Sequence, residues 1–354
     1  MRAAVLEAYG EPLEIQDVDD PDPGPDGVVV ETEACGVCRS DWHAWMGDWD
    51  WVGASPPPGQ ILGHEPAGRI VEVGSDVDRL AVGDRIAVPF TLGDGTCQHC
   101  RQGRANVCEN LRPLGFAPQV QGAFAERFVV PDADFNAVDL PDGVDPVDMA
   151  ALGCRFTTAF HGLAHRAAVS GGDWVAVHGC GGVGLSAVHI ADALGARVIA
   201  VDLDQDALDR ATALGASETI DAGAVERVGR EVKGITDGGA DVAVDALGIA
   251  ETCRNAVQSL GATGTHVQIG LTTSEEGGEV SLPVDVMTMQ ELDFVGSFGM
   301  PTARYGEILS MIEAGALEPG RVVSERVTLD EVSDTLARMG EYDTAGIPVV
   351  TEFA

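Results

Sequence analysis

Lysine is nearly absent from this chain: of its 21 basic residues only Lys233 is a lysine. Against them stand 57 acidic residues, for a formal net charge of −36. A surface so poor in basic groups has no electrostatic footprint for phosphate backbones, so nucleic acid and anionic membranes are excluded as partners. Aromatics are also scarce at 5%. No run of about 18 apolar residues occurs, which leaves nothing expected to span a membrane. Blocks of like charge are missing too. The acids are spread along the chain, which argues against an acidic interaction tail. A folded chain of this mass exposes roughly 14,000 Å², or about one net negative charge per 400 Å². Acid-rich, lysine-poor surfaces of this kind resemble those of salt-adapted cytosolic proteins.

What is present fits a globular α/β protein: 45% apolar residues and 45 glycines in 354 residues. That length exceeds the size at which single cores stop growing, so two domains are expected. The opening Met1–Glu7 stretch has no signal-peptide core and reads as a first strand, so a cytoplasmic location is expected.

Residues 1 to about 90 read as short strands (Arg2–Leu6, Gly27–Cys35, Ala67–Val73) punctuated by Pro- and Gly-rich turns. This predicts a small β-rich domain. Four of the five tryptophans lie between Trp42 and Trp51. They form either a packed loop on the core or an apolar wall over a substrate pocket. Residues 123–130 and 136–140 return to strand character, and a helix is expected from Pro146.

From Trp174 the grammar changes. Apolar strands at 174–178, 197–202, 217–221, 241–247, 265–270 and 292–299 alternate with helical stretches, among them 223–233, 250–260 and 284–290. Alternation of this kind implies right-handed crossovers and a parallel sheet covered on both faces. A doubly wound nucleotide-binding domain is therefore expected over residues 155–297. Residues 1–154 and a C-terminal return over 298–354 form the first domain.

The first strand of that region runs into Gly179-Cys180-Gly181-Gly182-Val183-Gly184 and then a helix, with Asp202 closing the next strand. In this context the glycine loop reads as a dinucleotide site. Gly179 allows the tight turn, Gly181 allows the backbone to approach a pyrophosphate, and Gly184 lets helix and strand pack closely. Asp202 can accept both ribose hydroxyls and would repel a 2′-phosphate. The following Leu203-Asp204-Gln205-Asp206 offers no compensating cation, so NAD is favoured over NADP.

Three isolated residues, Cys38, His64 and Cys154, carry meaning only jointly. Two thiolates and one imidazole neutralise Zn²⁺ and leave the fourth tetrahedral position open, as catalytic zinc requires. Cys97, Cys100 and Cys108 crowd a Gly-rich lobe, which in a cytosolic chain suggests metal before disulfides. Cys35 and Cys38 form a C-x-x-C, but Cys35 continues the apolar alternation of its strand and is expected to face the core.

Together, Cys38-Arg39-Ser40-Asp41-Trp42-His43, Gly63-His64-Glu65, the 94–108 lobe, Gly153-Cys154 and Gly179–Gly184 resemble the zinc-containing medium-chain alcohol dehydrogenases. They fall in the family's order and cover most of the chain. The resemblance implies an α/β protein with a GroES-like β-rich catalytic domain and a Rossmann doubly wound parallel sheet, the active site lying between them. Cys38, His64 and Cys154 match the catalytic zinc ligands, and Glu65 the acidic neighbour that approaches the metal during ligand exchange. Asp41 matches the carboxylate that orients the ligand histidine. Ser40 and His43 match a relay carrying the alcohol proton to solvent. Arg39 matches a pyrophosphate contact, Thr158 a residue beside the nicotinamide, and Phe90 the substrate wall. Gly182 and Val183 belong to the cofactor loop.

One departure from the family stands out. Asp94 occupies the place of the first of four structural-zinc cysteines. Asp94, Cys97, Cys100 and Cys108 thus either hold a second zinc or close the lobe without one, carboxylate oxygen being a harder ligand than thiolate. The activity implied is interconversion of small alcohols with aldehydes or ketones, by hydride transfer to or from NAD. A polyol or sugar dehydrogenase is the nearest alternative, against which Cys154 speaks, since such relatives often carry Glu at the third ligand position. A non-catalytic nucleotide-binding protein is the alternative from another class, and the retained ligands disfavour it. A homodimer or homotetramer is expected by the same resemblance, through the edge-strand run 292–299.

The charge yields the first testable expectation. At about 1 M salt the Debye length falls to about 3 Å and surface repulsion is screened. The thermal midpoint should therefore rise steeply with salt; full stability at about 10 mM salt, where the length is about 30 Å, would overturn the salt-adaptation reading.

Overall fold

The computed structural model describes residues 1–354 except 142, 143, 342, 343 and 345. The chain packs as two compact units. The first comprises Met1–Arg155, Gly299–Glu313 and Glu318–Ala354; the second comprises Phe156–Phe298 and Ala314–Leu317.

The first unit is β-rich. Its central strand, Val28–Gly36, buries Val28, Val29 and Val30 and then Ala34, Cys35 and Gly36. It pairs antiparallel with Glu65–Val73 along nearly its full length, so that Gly36 faces Glu65. The sheet runs Val138–Asp139, Arg85–Ala87, Glu65–Val73, Val28–Gly36, Ile347–Glu352, Val323–Thr328, with Arg127–Val130 also on the central strand. Placing Ile347–Glu352 beside Val28–Gly36 brings the C-terminal segment into this unit. A smaller sheet joins Arg2–Leu6 to Glu14–Asp17 and Gln60–Ile61. Between the sheets lie Leu6, Leu62, Ile70, Ile86, Phe124 and Phe128, all buried. Cys35 is fully buried and free, and burial pushes its thiol well above the usual range, which suits a core residue rather than a redox thiol.

The second unit is a six-stranded sheet in the order Ala216–Asp221, Arg197–Asp202, Trp174–His178, Ala240–Asp245, Leu260–Gln268, Asp293–Gly296. Every neighbouring pair is parallel. The strands are short apolar runs buried on both faces, as Val175, Ala176 and Val177 show. The order reverses between the first and fourth of these strands in the sequence, which is the point where doubly wound sheets bind ligands.

Several element bounds differ from the sequence reading. The helix expected over 223–233 begins only at Val228, because Gly223 donates to the Asp221 carboxylate and spends the preceding residues on a turn. The strand expected over 265–270 starts earlier, at Leu260. Gly239 and Gly261 touch backbone to backbone there, so an otherwise poor strand former enters the ladder. Near residue 136 a short helix, Ala133–Asn136, precedes the strand, pinned by the Asn136 amide bonding both N–H and C=O of Gly93. The 123–130 strand is regular only from Arg127, with Ala125 making a single bridge to Ala3. The edge strand covers Asp293–Gly296 rather than 292–299. In the C-terminal return a single 3₁₀ turn, Thr302–Arg304, leads into the helix Tyr305–Glu313.

Candidate active site

A carboxylate organises the metal-type ligands of the first unit. Cys38 stands at the start of the helix Arg39–Met46, whose first turn carries Asp41. Asp41 is fully buried and accepts three hydrogen bonds: from the Cys38 N–H at 2.9 Å, from the Gly63 N–H at 3.1 Å, and from His64 Nδ1 at 2.9 Å. Gly63 is required at its place, since its φ is +94° and a Cβ would meet the Phe124 backbone at 2.7 Å. Because a carboxylate only accepts, Nδ1 must donate, so once His64 is neutral its lone pair is on Nε2. Nε2 is buried and makes no hydrogen bond among the described residues.

One donor atom from each of Cys38, His64, Glu65 and Cys154 lies within 4.8 Å of each of the others. Cys154 arrives from the other side, just after the helix Pro146–Ala151 is interrupted at Gly153. The hydrogen bond from the Cys154 thiol, against the penalty of burial, draws Cys38 well below the usual thiol range, with help from Arg155 and His64. That same bond, together with burial, holds Cys154 well above it. Burial opposes charge on His64, but the Asp41 charge and hydrogen bond outweigh it and raise its pKa well above the ordinary value. Two cysteine sulfurs and an imidazole Nε2 held within 4.8 Å of one another make a donor set that fits zinc, whose binding would displace the protons that the ring and a thiol carry.

Glu65 sits in this cluster, fully buried, but its oxygens are taken. Oε1 accepts the Arg155 N–H at 3.0 Å and Arg155 Nε at 3.2 Å, and Oε2 accepts Arg155 Nη2. Burial pushes the Glu65 pKa up, and the Arg155 charge restrains that rise. Desolvation opposes the Arg155 charge, yet the Glu65 carboxylate holds its pKa above the usual guanidinium value.

The remaining candidate residues of this unit fall around the same helix. Ser40 and His43 are three residues apart in it, and hence on one face. His43 Nδ1 contacts Asp48 at 2.7 Å, and the ring stacks on Trp49 at 5.1 Å. Burial lowers the His43 pKa, partly offset by Asp48. Arg39 donates to the Met339 carbonyl and lies 4.1 Å over the Trp42 ring. The tryptophans divide: Trp45 is core, Trp49 lies on His43, and Trp51 is largely exposed. Phe90 meets the His64 ring edge-on at 5.7 Å, and Phe116 approaches it more closely, at 4.8 Å. Phe116, Asp48 and Arg155 were missed from the sequence.

In the Cys-rich lobe, donor atoms of Asp94, Cys97, Cys100 and Cys108 also lie within 4.8 Å of one another. The sulfurs accept backbone N–H bonds: Cys108 from Asp94 and Asn110, Cys97 from Cys100. Asp94 accepts from the N–H of Cys97 and Thr96 and from the Asn110 amide, which hold its carboxyl well below the usual range. The Cys100 N–H lowers Cys97, while burial pushes Cys100 up to about 12 and raises Cys108. Three bonds on two carboxylate oxygens leave acceptor capacity for a cation.

In the second unit, the helix Gly182–Ala193 opens with Gly181 as its cap, which makes no side-chain capping hydrogen bond. A Cβ at Gly181 would meet nothing within 4 Å, whereas one at Gly184 would lie 1.8 Å from the Gly179 carbonyl. The first is the open approach a pyrophosphate needs, and the second is close helix–strand packing. Asp202 accepts the Cys180 N–H at 2.5 Å and those of Leu203 and Asp204 at 2.7 and 3.0 Å. Thr158 is buried; among the described residues its hydroxyl has no hydrogen-bond partner, and its carbonyl accepts from the Ser297 hydroxyl.

Residues 24–142 match the family described as alcohol dehydrogenase GroES-like domain, and residues 182–314 that described as zinc-binding dehydrogenase. The chain is 34% identical to an alcohol dehydrogenase of Moraxella sp., the match covering 99% of each. It is 31% identical to an NAD-dependent alcohol dehydrogenase of Sulfurisphaera tokodaii, again over 99% of each. Among solved structures, alcohol dehydrogenase TADH from Thermus sp. ATN1 superposes with a TM-score of 0.90 at 30% identity, covering 99% of this chain and 100% of that one. Likeness that runs end to end, in sequence and in fold, makes this chain a member of the zinc-containing medium-chain alcohol dehydrogenase family.

Proposed function

We propose that this protein is a zinc-dependent alcohol dehydrogenase that interconverts small primary or secondary alcohols with aldehydes or ketones, using NAD. The observation that carries the reading is the unpartnered, buried His64 Nε2, facing two cysteine sulfurs and fixed in its tautomer by Asp41. Residues 1–154 with 298–354 form the catalytic domain, and residues 155–297 hold the cofactor.

Cys38, His64 and Cys154 would hold the zinc. When bound, zinc polarises the substrate oxygen and NAD takes up the hydride. The protein's own part is positioning and proton movement. Asp41 keeps the His64 lone pair aimed at the cluster and ties the Cys38 and Gly63 backbones to one point. Ser40, two residues after Cys38, takes the alcohol proton and passes it toward solvent with His43. Asp48 fixes the His43 ring through Nδ1, leaving Nε2 to exchange the proton. Phe90 and Phe116, on the His64 ring, make the substrate wall apolar. The Gly179–Gly184 loop and helix N-terminus receive the pyrophosphate, Asp202 the ribose hydroxyls, Arg39 a further pyrophosphate contact and Thr158 the nicotinamide side. Asp94, Cys97, Cys100 and Cys108 form a second, structural zinc site. Eight free cysteines support a reducing, cytoplasmic setting. Among the described residues, no helix is long and apolar enough to cross a membrane.

A second copy of the chain is the proposed partner. Asp293–Gly296 pairs only with Leu260–Gln268 among the described residues, leaving an open sheet edge. Beside it Val284, Met289 and Phe294 are exposed, at 65%, 77% and 44%. An open edge flanked by an apolar patch favours pairing across a two-fold axis.

The deciding assay is NAD⁺ reduction at high salt across short alcohols and polyols, with metal analysis. Two zinc per subunit and alcohol turnover abolished by a chelator are expected, with Asp94→Ala lowering the content to one. Turnover confined to polyols would move the substrate class; none, from folded zinc-loaded protein, would overturn the enzyme reading. For the cofactor, kcat/KM should favour NAD⁺ over NADP⁺, and Asp202→Ser should narrow that ratio by about tenfold or more, the worth of about 1.4 kcal/mol. A parent enzyme preferring NADP⁺ would refute the charge argument. For assembly, sedimentation should show a dimer or tetramer that Phe294→Asp dissociates; a monomeric parent would exclude the edge pairing.

A further inference from the structure

The pairing of Arg155 with Glu65 lies beside the ligand cluster and no step of the proposed reaction uses it. Arg155 is 3% exposed and Glu65 is fully buried. In a chain with 21 basic residues against 57 acidic ones, withdrawing a cation from the surface works against charge balance there. Its placement therefore serves something inside.

Three donors from one residue, the backbone N–H, Nε and Nη2, occupy both oxygens of a single carboxylate. The packing around that carboxylate is tight on two sides. A Cβ at Gly36 would come within 2.4 Å of Glu65 Oε2, and one at Gly153 within 2.3 Å of Glu65 Cβ. Each glycine lies next to a ligand segment: Gly153 precedes Cys154, and Gly36 lies two residues before Cys38. A carboxylate in this slot has an oxygen within 4.8 Å of the donor atoms of Cys38, His64 and Cys154. It is close enough to compete for a bound cation, and its acceptor sites face a guanidinium instead.

We propose that Arg155 is a positioning residue that withholds the Glu65 carboxylate from the metal, keeping the fourth coordination position for substrate. This rests on the reading of Cys38, His64 and Cys154 as the zinc ligands. The planar fork matters as well as the charge. Lysine offers a point charge that cannot address both oxygens with fixed geometry. With the fork gone, the nearest strong cation for a buried, unpaired carboxylate is the metal itself.

The test uses cobalt(II) in place of the catalytic zinc in the intact protein at high salt, comparing the parent with Arg155→Gln, Arg155→Lys, Glu65→Gln and the double variant. Visible absorption reports the ligand set, and the rate of metal loss to a chelator reports its grip. Arg155→Gln should shift the cobalt bands and slow metal loss by about tenfold, the scale of effects from residues behind metal ligands. Arg155→Lys should fall between it and the parent, which keeps the comparison usable should Arg155→Gln fold poorly. The double variant should return to the behaviour of Glu65→Gln. Unchanged bands in both Arg155 variants, or a shift equally large in the double variant, would overturn the proposal by removing Glu65 from its cause. A parent lacking thiolate-to-cobalt charge-transfer absorption would instead strike the ligand reading itself, a distinguishable failure.

Discussion

The meeting of Cys38 and His64 in the candidate metal site depends on one buried carboxylate that accepts donors on both of its oxygens. Removing a carboxylate from water costs several kcal/mol even after relaxation. Asp41 meets that cost with three charge-assisted hydrogen bonds, each worth about 1.5–3 kcal/mol, from Cys38, Gly63 and His64. The compensation is also the positioning. The donors belong to two ligand segments, so the arrangement that satisfies Asp41 is the one that brings Cys38 and His64 together. It fixes the His64 tautomer in the same stroke, because the nitrogen facing Asp41 must carry the proton. Stability and readiness for metal are here one constraint.

The same logic recurs at the ends of the parallel strands. Asp245, also fully buried, accepts from the N–H groups of Leu247 and Gly248, the Thr252 hydroxyl and the Gln268 amide. That carboxylate fixes the loop after its strand, and Gly179 packs against Leu247 across from it. Asp202 performs a related task with the Cys180, Leu203 and Asp204 N–H groups. In each case an acid at a strand end or first helical turn collects backbone donors that the local geometry leaves unpaired.

This explains what the sequence could and could not disclose. The parallel sheet was legible because burial on both faces leaves unbroken apolar runs such as Trp174–His178, and the cofactor loop because its glycines are demanded by local geometry. Cys38, His64 and Cys154 were legible as residue types that would be wasted singly. Glu65 was placed by resemblance, but its partner was not. An arginine after a cysteine has no period and no turn chemistry, and its meaning arises only when Gly36 and Gly153 open a slot for the carboxylate between strand and helix break. Phe116, from a Gly- and Pro-bearing stretch with no periodicity, reaches the His64 ring by tertiary packing alone. The late start of the helix at Val228 and the early strand at Leu260 have the same origin. An Asx-type turn and a glycine–glycine contact overrode what propensity alone suggested.

The excess of acid thus has two physically distinct parts. Most carboxylates face solvent over a surface of 14376 Å², where their mutual repulsion is long-ranged and screened by ions. Asp41, Glu65 and Asp245 are fully buried and interact with fixed donors at contact distance, where mobile ions do not reach. Salt therefore changes the first set and leaves the second nearly untouched. Surface repulsion acts on the compactness of the whole chain, while the local geometry of the ligand cluster is set by short-range bonds. An acidic shell and a carboxylate-organised interior are compatible because they answer to different distances, and this lets the surface follow its solvent while the site keeps its form.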